Sequence, residues 1–405
     1  MRYLSDNVKY LLLPARFYRD GHGFFSYVRE LHTYIKTELI KTVRLACDIA
    51  VQPNKTASCL SVEDEEKGKN MKIAIIGAGA IGGYVGVKLA LSGEDVTFIV
   101  RGANLEAIKR DGMKLIMEDG TEHVAKNVKA TNNYDEAGPQ DVVILALKAH
   151  QVDAVANDVP KLFGPDTVVV TMQNGIPFWY FHRHGGPHEG QRVQSVDPTG
   201  LISAKIPAER ILGCVVYPAS ALIAPGVVKH IEGDRFPIGE LDGTVTERAK
   251  KVSEAFIKAG FKSPILENIR SEIWLKLWGN LSFNPISSLS HATLVDICQY
   301  PLSRELAGNM MIEAQRIANK LGIEFRVPLE KRIRGAEKVG KHKTSMLQDV
   351  EAGRAPEIDA LVGSVVELGR ITNTSTPYIN AVYALVKLLA KTMEEENGKV
   401  RMEPC

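Results

Sequence analysis

Residues Lys72-Ile73-Ala74-Ile75-Ile76 form a short apolar run that leads directly into Gly77-Ala78-Gly79-Ala80-Ile81-Gly82-Gly83. A buried strand, a G-x-G-x-x-G turn and a helical run, in that order, constrain the fold more than any other stretch, because they specify a βαβ unit whose turn wraps a dinucleotide. In such a unit Gly77 allows the tight turn, Gly79 lets the backbone approach a pyrophosphate, and Gly82 lets the helix pack closely on the strand. The helix start offers free N–H groups and a positive dipole end, so Gly77, Ala78, Gly79, Ala80, Ile81 and Gly82 are the expected phosphate cradle. The glycines alone would also suit a flexible loop. Their surroundings argue for the cradle: a helical run from Tyr84 to Leu91 follows, Gly93 closes it, and a second strand, Val96 to Val100, comes next.

The residue after that second strand is Arg101. An acid there would hold the ribose 2′-hydroxyl of NAD, whereas an arginine suits a 2′-phosphate, so the expected cofactor is NADPH/NADP+. A solvated charge beyond an edge strand is the plainer alternative for Arg101.

With 405 residues, 45% hydrophobic and 24% charged, the chain can bury two cores. A formal net charge of +2 gives no electrostatic case for nucleic acid or a membrane surface. Cys47, Cys59, Cys214, Cys298 and Cys405 are scattered and form no C-x-x-C pair, which points to a reducing compartment and away from disulfides or a thiolate metal site. No apolar run approaches the length of a membrane span, so the expectation is a soluble, cytoplasmic protein.

Seventy residues precede Met71, an unusual place for a turn that normally lies close to the chain start. This extension lacks a clean signal-peptide core, and Asp6, Asp20, Glu30 and Glu38 argue against a mitochondrial presequence. Tyr27 to Ala50 could form one or two docking helices. The preferred expectation is that the protein begins at Met71, because Glu65-Glu66-Lys67-Gly68-Lys69-Asn70 requires nearly all-purine codons, as in a bacterial ribosome-binding sequence upstream of an initiator codon.

Beyond the second strand the α/β pattern continues. Met113 to Met117 and His123 to Thr131 flank a Glu118-Asp119-Gly120-Thr121 hairpin turn. The continuous apolar runs Asp141 to Leu147 and Thr167 to Met172 suit parallel strands covered on both faces. They end in Lys148 and in Gln173-Asn174-Gly175. Ligands of open α/β sheets lie beyond the carboxyl ends of strands, so Lys148 and Asn174 fall where a nucleotide is expected, although both also fit ordinary loop chemistry. Strands are expected over Leu212 to Leu222, Gly226 to Glu232, Asp234 to Gly239 and near Phe261 to Leu266, with a helix from Val245 to Ala259. From Glu267 the pattern turns helical, with Pro301 to Leu321, Pro356 to Ile371 and Pro377 to Lys391 opened by prolines. The predicted organisation is an extension over 1–70, a Rossmann-type nucleotide-binding α/β domain over 71–266, an all-α C-terminal domain over 267–395 and a tail over 396–405.

The helical part opens with Glu272-Ile273-Trp274-Leu275-Lys276-Leu277-Trp278-Gly279-Asn280-Leu281-Ser282-Phe283-Asn284-Pro285. Lys276, Asn280 and Asn284 recur every fourth residue and line one helix face, each about 40° round from the last. Asn is a poor helix former with little reason to recur turn by turn. Tryptophans, leucines and a phenylalanine surround the stripe, and a lysine in such surroundings loses hydration, which lowers its pKa toward the range of a general acid. A solvated helix face with a snorkelling lysine fits the spacing equally well.

Taken together, these motifs resemble the ketopantoate reductase (2-dehydropantoate 2-reductase) family from Met71 to about Met393. The resemblance rests on Gly77 to Gly82, Arg101, Leu147-Lys148-Ala149-His150-Gln151, Gln173-Asn174-Gly175, Trp274-x-Lys276-Leu277-x-x-Asn280-x-x-x-Asn284-Pro285, Thr344-Ser345-Met346-Leu347-Gln348-Asp349 and Glu357-Ile358-Asp359. Residues 1–70 lie outside it. The resemblance implies that NADPH gives hydride to the C2 carbonyl of ketopantoate while Lys276 protonates the developing alkoxide, within pantothenate biosynthesis. It implies that Glu357 engages the substrate hydroxyl, and that Asn174, Asn280, Asn284 and Ser345 hydrogen-bond substrate and nicotinamide. From spacing alone, Ser345 and Glu357 show only a loop entering a helix.

Phe178-Trp179-Tyr180-Phe181-His182-Arg183-His184-Gly185-Gly186-Pro187-His188 departs from the family pattern. Its histidines lack a carboxylate or cysteine at ligand spacing, so no metal is expected, and it reads as a mobile loop over the site that reshapes substrate choice. Two other functions stay open: reduction of another branched 2-oxo acid, and a non-catalytic NADPH sensor, which would have no use for Lys276. A homodimer is equally open.

Overall fold

Alternation along the first strand decides which face of the molecule each residue serves. The computed structural model describes residues 70–398. The start expected at Met71 concerns residues 1–69, which lie outside the described ones. In chain order the α/β part comprises β1 (Lys72–Ile76), α1 (Ala80–Leu91), β2 (Asp95–Ile99), α2 (Ala103–Asp111), β3 (Met113–Ile116), β4 (Glu122–Ala125), β5 (Lys129–Thr131) and α3 (Tyr134–Ala137). It continues with β6 (Gln140–Leu145), β7 (Phe163–Thr171), α4 (Leu201–Lys205), β8 (Ile211–Cys214), β9 (Ala219–Ala224), β10 (Val227–Glu232), β11 (Ile238–Gly239) and α5 (Glu247–Lys258). The helical part comprises α6 (Ile269–Ser290), α7 (Leu294–Gln299), α8 (Pro301–Lys320), α9 (Leu329–Lys338), α10 (Ser345–Glu351), α11 (Ser364–Ile371) and α12 (Pro377–Glu395).

A seven-stranded sheet runs in the order β11-β8-β7-β6-β1-β2-β5 and is parallel except for the β8–β11 edge. β1 lies inside it, with Ile73 opposite Val96 on one side and Val142 on the other. Successive side chains point to opposite faces, so Ile73 and Ile75 enter a core with Phe98, Phe236 and Phe256, while Ala74 and Ile76 enter the other core. That second core also contains Trp274, Leu277 and Trp278 of α6. The helical part is thereby packed on one face of the sheet. A smaller sheet, β4-β3-β10-β9, packs against α1.

Sequence expectation and structure differ where a single apolar run serves two sheets. The strand expected over His123 to Thr131 divides: β4 pairs with β3 across the Asp119-Gly120 turn, and β5 pairs with β2 in the large sheet. The strand expected over Leu212 to Leu222 divides before Pro218, which has no N–H for a ladder, into β8 of the large sheet and β9 of the small one. The strand expected near Phe261 to Leu266 is reduced to single bridges at Lys262 and Ile265. The helix expected from Pro356 begins with a wide π-helical turn, Asp359–Gly363, before α11.

The aromatic half of the segment beginning at Phe178 does not form a loop over the site. Phe178, Trp179, Tyr180 and Phe181 are all buried in the core shared with α6. The Arg270 guanidinium donates to the Tyr180 carbonyl at 2.8 Å and to the His182 carbonyl at 2.6 Å, which pins the backbone of the segment to the start of α6. The Trp274 indole N–H donates to the Tyr180 hydroxyl at 2.7 Å and the Trp179 indole N–H to the Thr171 hydroxyl at 2.9 Å, so the four large side chains bury apolar area with each polar atom hydrogen-bonded. Tyr180→Phe leaves that buried N–H without an acceptor and is expected to cost about 1–3 kcal/mol in urea denaturation. An unchanged midpoint would show that the pair adds nothing.

Candidate active site

The glycine turn differs in its three positions in the way a nucleotide cradle requires. Gly77 has φ +100°, a left-handed conformation that L side chains rarely adopt. A Cβ on Gly82 would stand 1.9 Å from the Gly77 carbonyl oxygen, so only glycine lets α1 approach β1 this closely. A Cβ on Gly79 would meet nothing within 4 Å, and Gly79 is the N-cap of α1, which has no side-chain cap and no acid in its first turn. Free N–H groups at an uncapped helix start, facing open space, fit an anion such as a pyrophosphate. Asn104 supports the turn from outside: its amide donates to the Ala78 carbonyl at 2.7 Å and accepts from the Gly226 N–H at 2.6 Å. Arg101 stands exposed just past β2, on the same edge of the sheet.

The ends of β6 and β7 carry the next residues. Lys148 donates to the Ala355 carbonyl at 2.9 Å and pairs with Asp349 at 2.8 Å, so its charge is shared with the helical part. Asn174 follows β7 in a turn that continues through Gly175, φ +87°, where a Cβ would lie 2.1 Å from the Ala360 carbonyl oxygen. That close approach lets the Ile176 N–H donate to Ala360 at 3.0 Å and fixes the turn against the π-helical turn.

Four of the expected residues meet here. Lys276, from the middle of α6, donates to the Asn174 side-chain oxygen at 2.5 Å and also to the Val216 carbonyl. The Asn174 amide nitrogen donates to one oxygen of Glu357 at 3.3 Å, and the Ala149 N–H donates to the other at 3.1 Å. Burial pushes the Lys276 ammonium down to about 8, against the opposing attraction of Glu357. Burial also pushes the neighbouring Cys214 thiol up to about 12. Asn280, one turn beyond Lys276, lines the same small cavity of about 20 Å³ together with Thr171, Trp179 and Leu277. That is room for one water-sized group beside the ammonium.

Asn284 and Ser345 stand apart. Asn284 is buried further along α6 and Ser345 is exposed at the first position of α10, and neither lines the cavity beside Lys276. A larger cavity of about 940 Å³ is bordered by Glu357, His150, Asp153 and Lys387. A cation, an amide and a carboxylate converge beside the smaller space. The Val216 carbonyl and the Ala149 amide were not legible in the sequence, since backbone groups have no residue signature. Among the described residues no group of three or more His, Cys, Asp or Glu side chains could hold a metal ion, and no helix is long and apolar enough to cross a membrane.

A family model described as ketopantoate reductase PanE/ApbA matches residues 73–243, and the corresponding C-terminal model matches residues 268–390. This chain belongs to the ketopantoate reductase family. Its α/β Rossmann-like domain followed by a helical domain is the family fold. It is 53% identical to the 2-dehydropantoate 2-reductase of Mesorhizobium japonicum over 321 residues, which is 79% of this chain and 98% of the relative. The Pyrococcus horikoshii 2-dehydropantoate 2-reductase is 32% identical over 78% of this chain and 97% of its own length. Among solved structures, a chain from Ralstonia solanacearum matches with TM-score 0.77 and 41% identity, covering 80% of this chain and 99% of that one. The 2-dehydropantoate 2-reductase from Methylococcus capsulatus matches with TM-score 0.68 and 27% identity, covering 81% and 98%.

The second and third glycines of the turn, Gly79 and Gly82, separate binding from fold. Gly82→Ala is expected to destabilise the chain by about 3 kcal/mol or more in urea denaturation, because the rigid Gly77 carbonyl cannot move aside. Gly79→Ala, in open space, is expected to change stability by no more than about 0.5 kcal/mol. Equal losses in both variants would contradict this reading of the turn.

Proposed function

We propose that this chain reduces 2-dehydropantoate (ketopantoate) to pantoate with NADPH, and that Lys276 gives the proton. The observation that carries the proposal is the hydrogen-bonded line from Lys276 through Asn174 to Glu357, at the edge of the sheet that also holds the glycine turn. The backbone of Gly77, Ala78, Gly79, Ala80, Ile81 and Gly82 would hold the pyrophosphate, Arg101 the 2′-phosphate, and Lys148 would add a cation beyond β6. Bound there, NADPH supplies the hydride that reduces the C2 carbonyl.

The remaining chemistry belongs to the chain. Lys276, protonated, places positive charge against the carbonyl oxygen, where negative charge grows only in the transition state, and then transfers its proton. The carbonyls of Asn174 and Val216 aim the ammonium by accepting two of its three hydrogens. Glu357, held by the Ala149 N–H and the Asn174 amide, keeps acceptor capacity for the substrate hydroxyl. Asn280 would hydrogen-bond the substrate in the cavity beside Lys276, with Asn284 and Ser345 contributing as the cleft fills. In this reading the nucleotide-binding part spans 71–266 and the substrate-binding helical part 267–395.

The decisive experiment is NADPH oxidation with ketopantoate. Lys276→Ala is expected to lower kcat about 10²- to 10⁴-fold while NADPH affinity is retained. Full turnover in that variant would overturn the assignment, and faster reduction of a 2-oxo acid lacking the hydroxyl would move it to another substrate. The pH dependence has a definite sign. A general acid must be protonated, and Lys276 loses its proton near pH 8, so kcat/KM is expected to hold below that value and fall about tenfold per pH unit above it. A profile flat up to pH 10 would show that burial does not lower the Lys276 pKa, and the Lys276→Ala comparison would then decide its role as the acid.

A further inference from the structure

Gln173 immediately precedes Asn174, and its side chain is fixed from one side only. The amide nitrogen donates to the Leu145 carbonyl at 2.7 Å and to the Leu147 carbonyl at 3.1 Å. Both of its hydrogens are therefore used at the end of β6. The same bonds settle which amide atom is which, because the opposite orientation would set an oxygen against two carbonyl oxygens. Gln173 also lines the small cavity beside Lys276. Its side-chain oxygen is buried and has no hydrogen-bond partner among the described residues.

A buried acceptor without a donor is costly, and a ligand group or a water that donates to it removes the cost. The ligand group must therefore be a donor. In a 2-oxo acid the carboxylate and the ketone only accept, and the hydroxyl of ketopantoate is matched by Glu357. The nicotinamide carboxamide brings an NH₂ group. We propose that the Gln173 side-chain oxygen accepts a hydrogen bond from the carboxamide NH₂ of the nicotinamide, making Gln173 a positioning residue that sets how the ring lies relative to Lys276. This inference rests on the NADPH reading above. It adds that the β6 end, through Leu145 and Leu147, fixes the direction of that acceptor.

The test is binding rather than turnover, using the intrinsic fluorescence of reduced nucleotides with the full chain. NADPH is compared with its reduced 3-acetylpyridine analogue, in which a methyl group replaces the carboxamide NH₂. The unaltered chain is expected to bind NADPH about tenfold more tightly than the analogue. Gln173→Met, apolar and of similar length, is expected to bind the two with equal affinity. Adenosine 2′,5′-bisphosphate, which lacks the nicotinamide, reports on folding and should bind both proteins alike. Equal affinity of the unaltered chain for NADPH and the analogue overturns the inference, as does a preference for NADPH that survives in Gln173→Met. If Gln173→Met also loses the bisphosphate, the variant is misfolded and the comparison in the unaltered chain decides alone. If the unaltered chain binds the bisphosphate and neither reduced nucleotide, the NADPH reading itself fails, a result distinct from the other two.

Discussion

One amide holds the candidate site together. The oxygen of Asn174 faces an ammonium and its nitrogen faces a carboxylate, so its orientation cannot be reversed without setting like against like at both ends. Because Asn174 follows a strand of the sheet while Lys276 and Glu357 belong to the helical part, this side chain is also a joint between the two. Its position depends in turn on Gly175, which passes so close to the Ala360 carbonyl that no other residue fits. An Asn-Gly pair is ordinarily a turn signal and nothing more. Here the glycine makes the close approach and the asparagine uses it.

The charge state of Lys276 follows from two opposed effects of the same enclosure. Removal from water favours the neutral amine, while Glu357 favours the ammonium, and desolvation wins by enough to lower the pKa to about 8, so the group remains an ammonium at pH 7 but holds its proton less tightly. A lysine left in solvent would hold its proton too tightly to give it up readily. One buried without the Asn174 and Val216 carbonyls would have unpaired N–H groups in a low dielectric. Cys214, close by, is kept a neutral thiol by its own burial, so it does not add a second negative charge to compete with Glu357.

The legible part of this molecule is the part whose signals are local. The glycine turn, the continuous apolar strands and the Lys276–Asn280 spacing each occupy a dozen residues or fewer, and period and turn chemistry suffice to read them. The aromatic segment was misread because its burial is set by Arg270 at a sequence separation of 90 residues, a partner that no local pattern reveals. Pro218 marked a break inside an apolar run, yet which sheet received each half depended on strand order. The Val216 and Ala149 backbone groups were invisible for a different reason. Any residue offers a carbonyl and all but proline an N–H, so only the fold says which of them turn inward.

The floor of the cleft and its rim are built differently, and the difference bears on what a ligand can alter. The floor is a single apolar core that runs from Ala74 and Ile76 of β1 to Trp274 and Trp278 of α6, so the distance from glycine turn to lysine helix is set by close packing, which resists small displacements. The rim is polar: Lys148 to Asp349 and Ala355, and Ala149 to Glu357. Charged hydrogen bonds at a solvent boundary can be exchanged at little net cost, because water or another ion replaces each partner. An anion brought to the end of β6 must share Lys148 with Asp349 or displace it. Displacement would loosen the segment leading to Glu357 while leaving Lys276 where the core holds it. The Lys276 ammonium is thus fixed by packing, and the carboxylate opposite it is fixed in part by contacts that a bound ligand can replace.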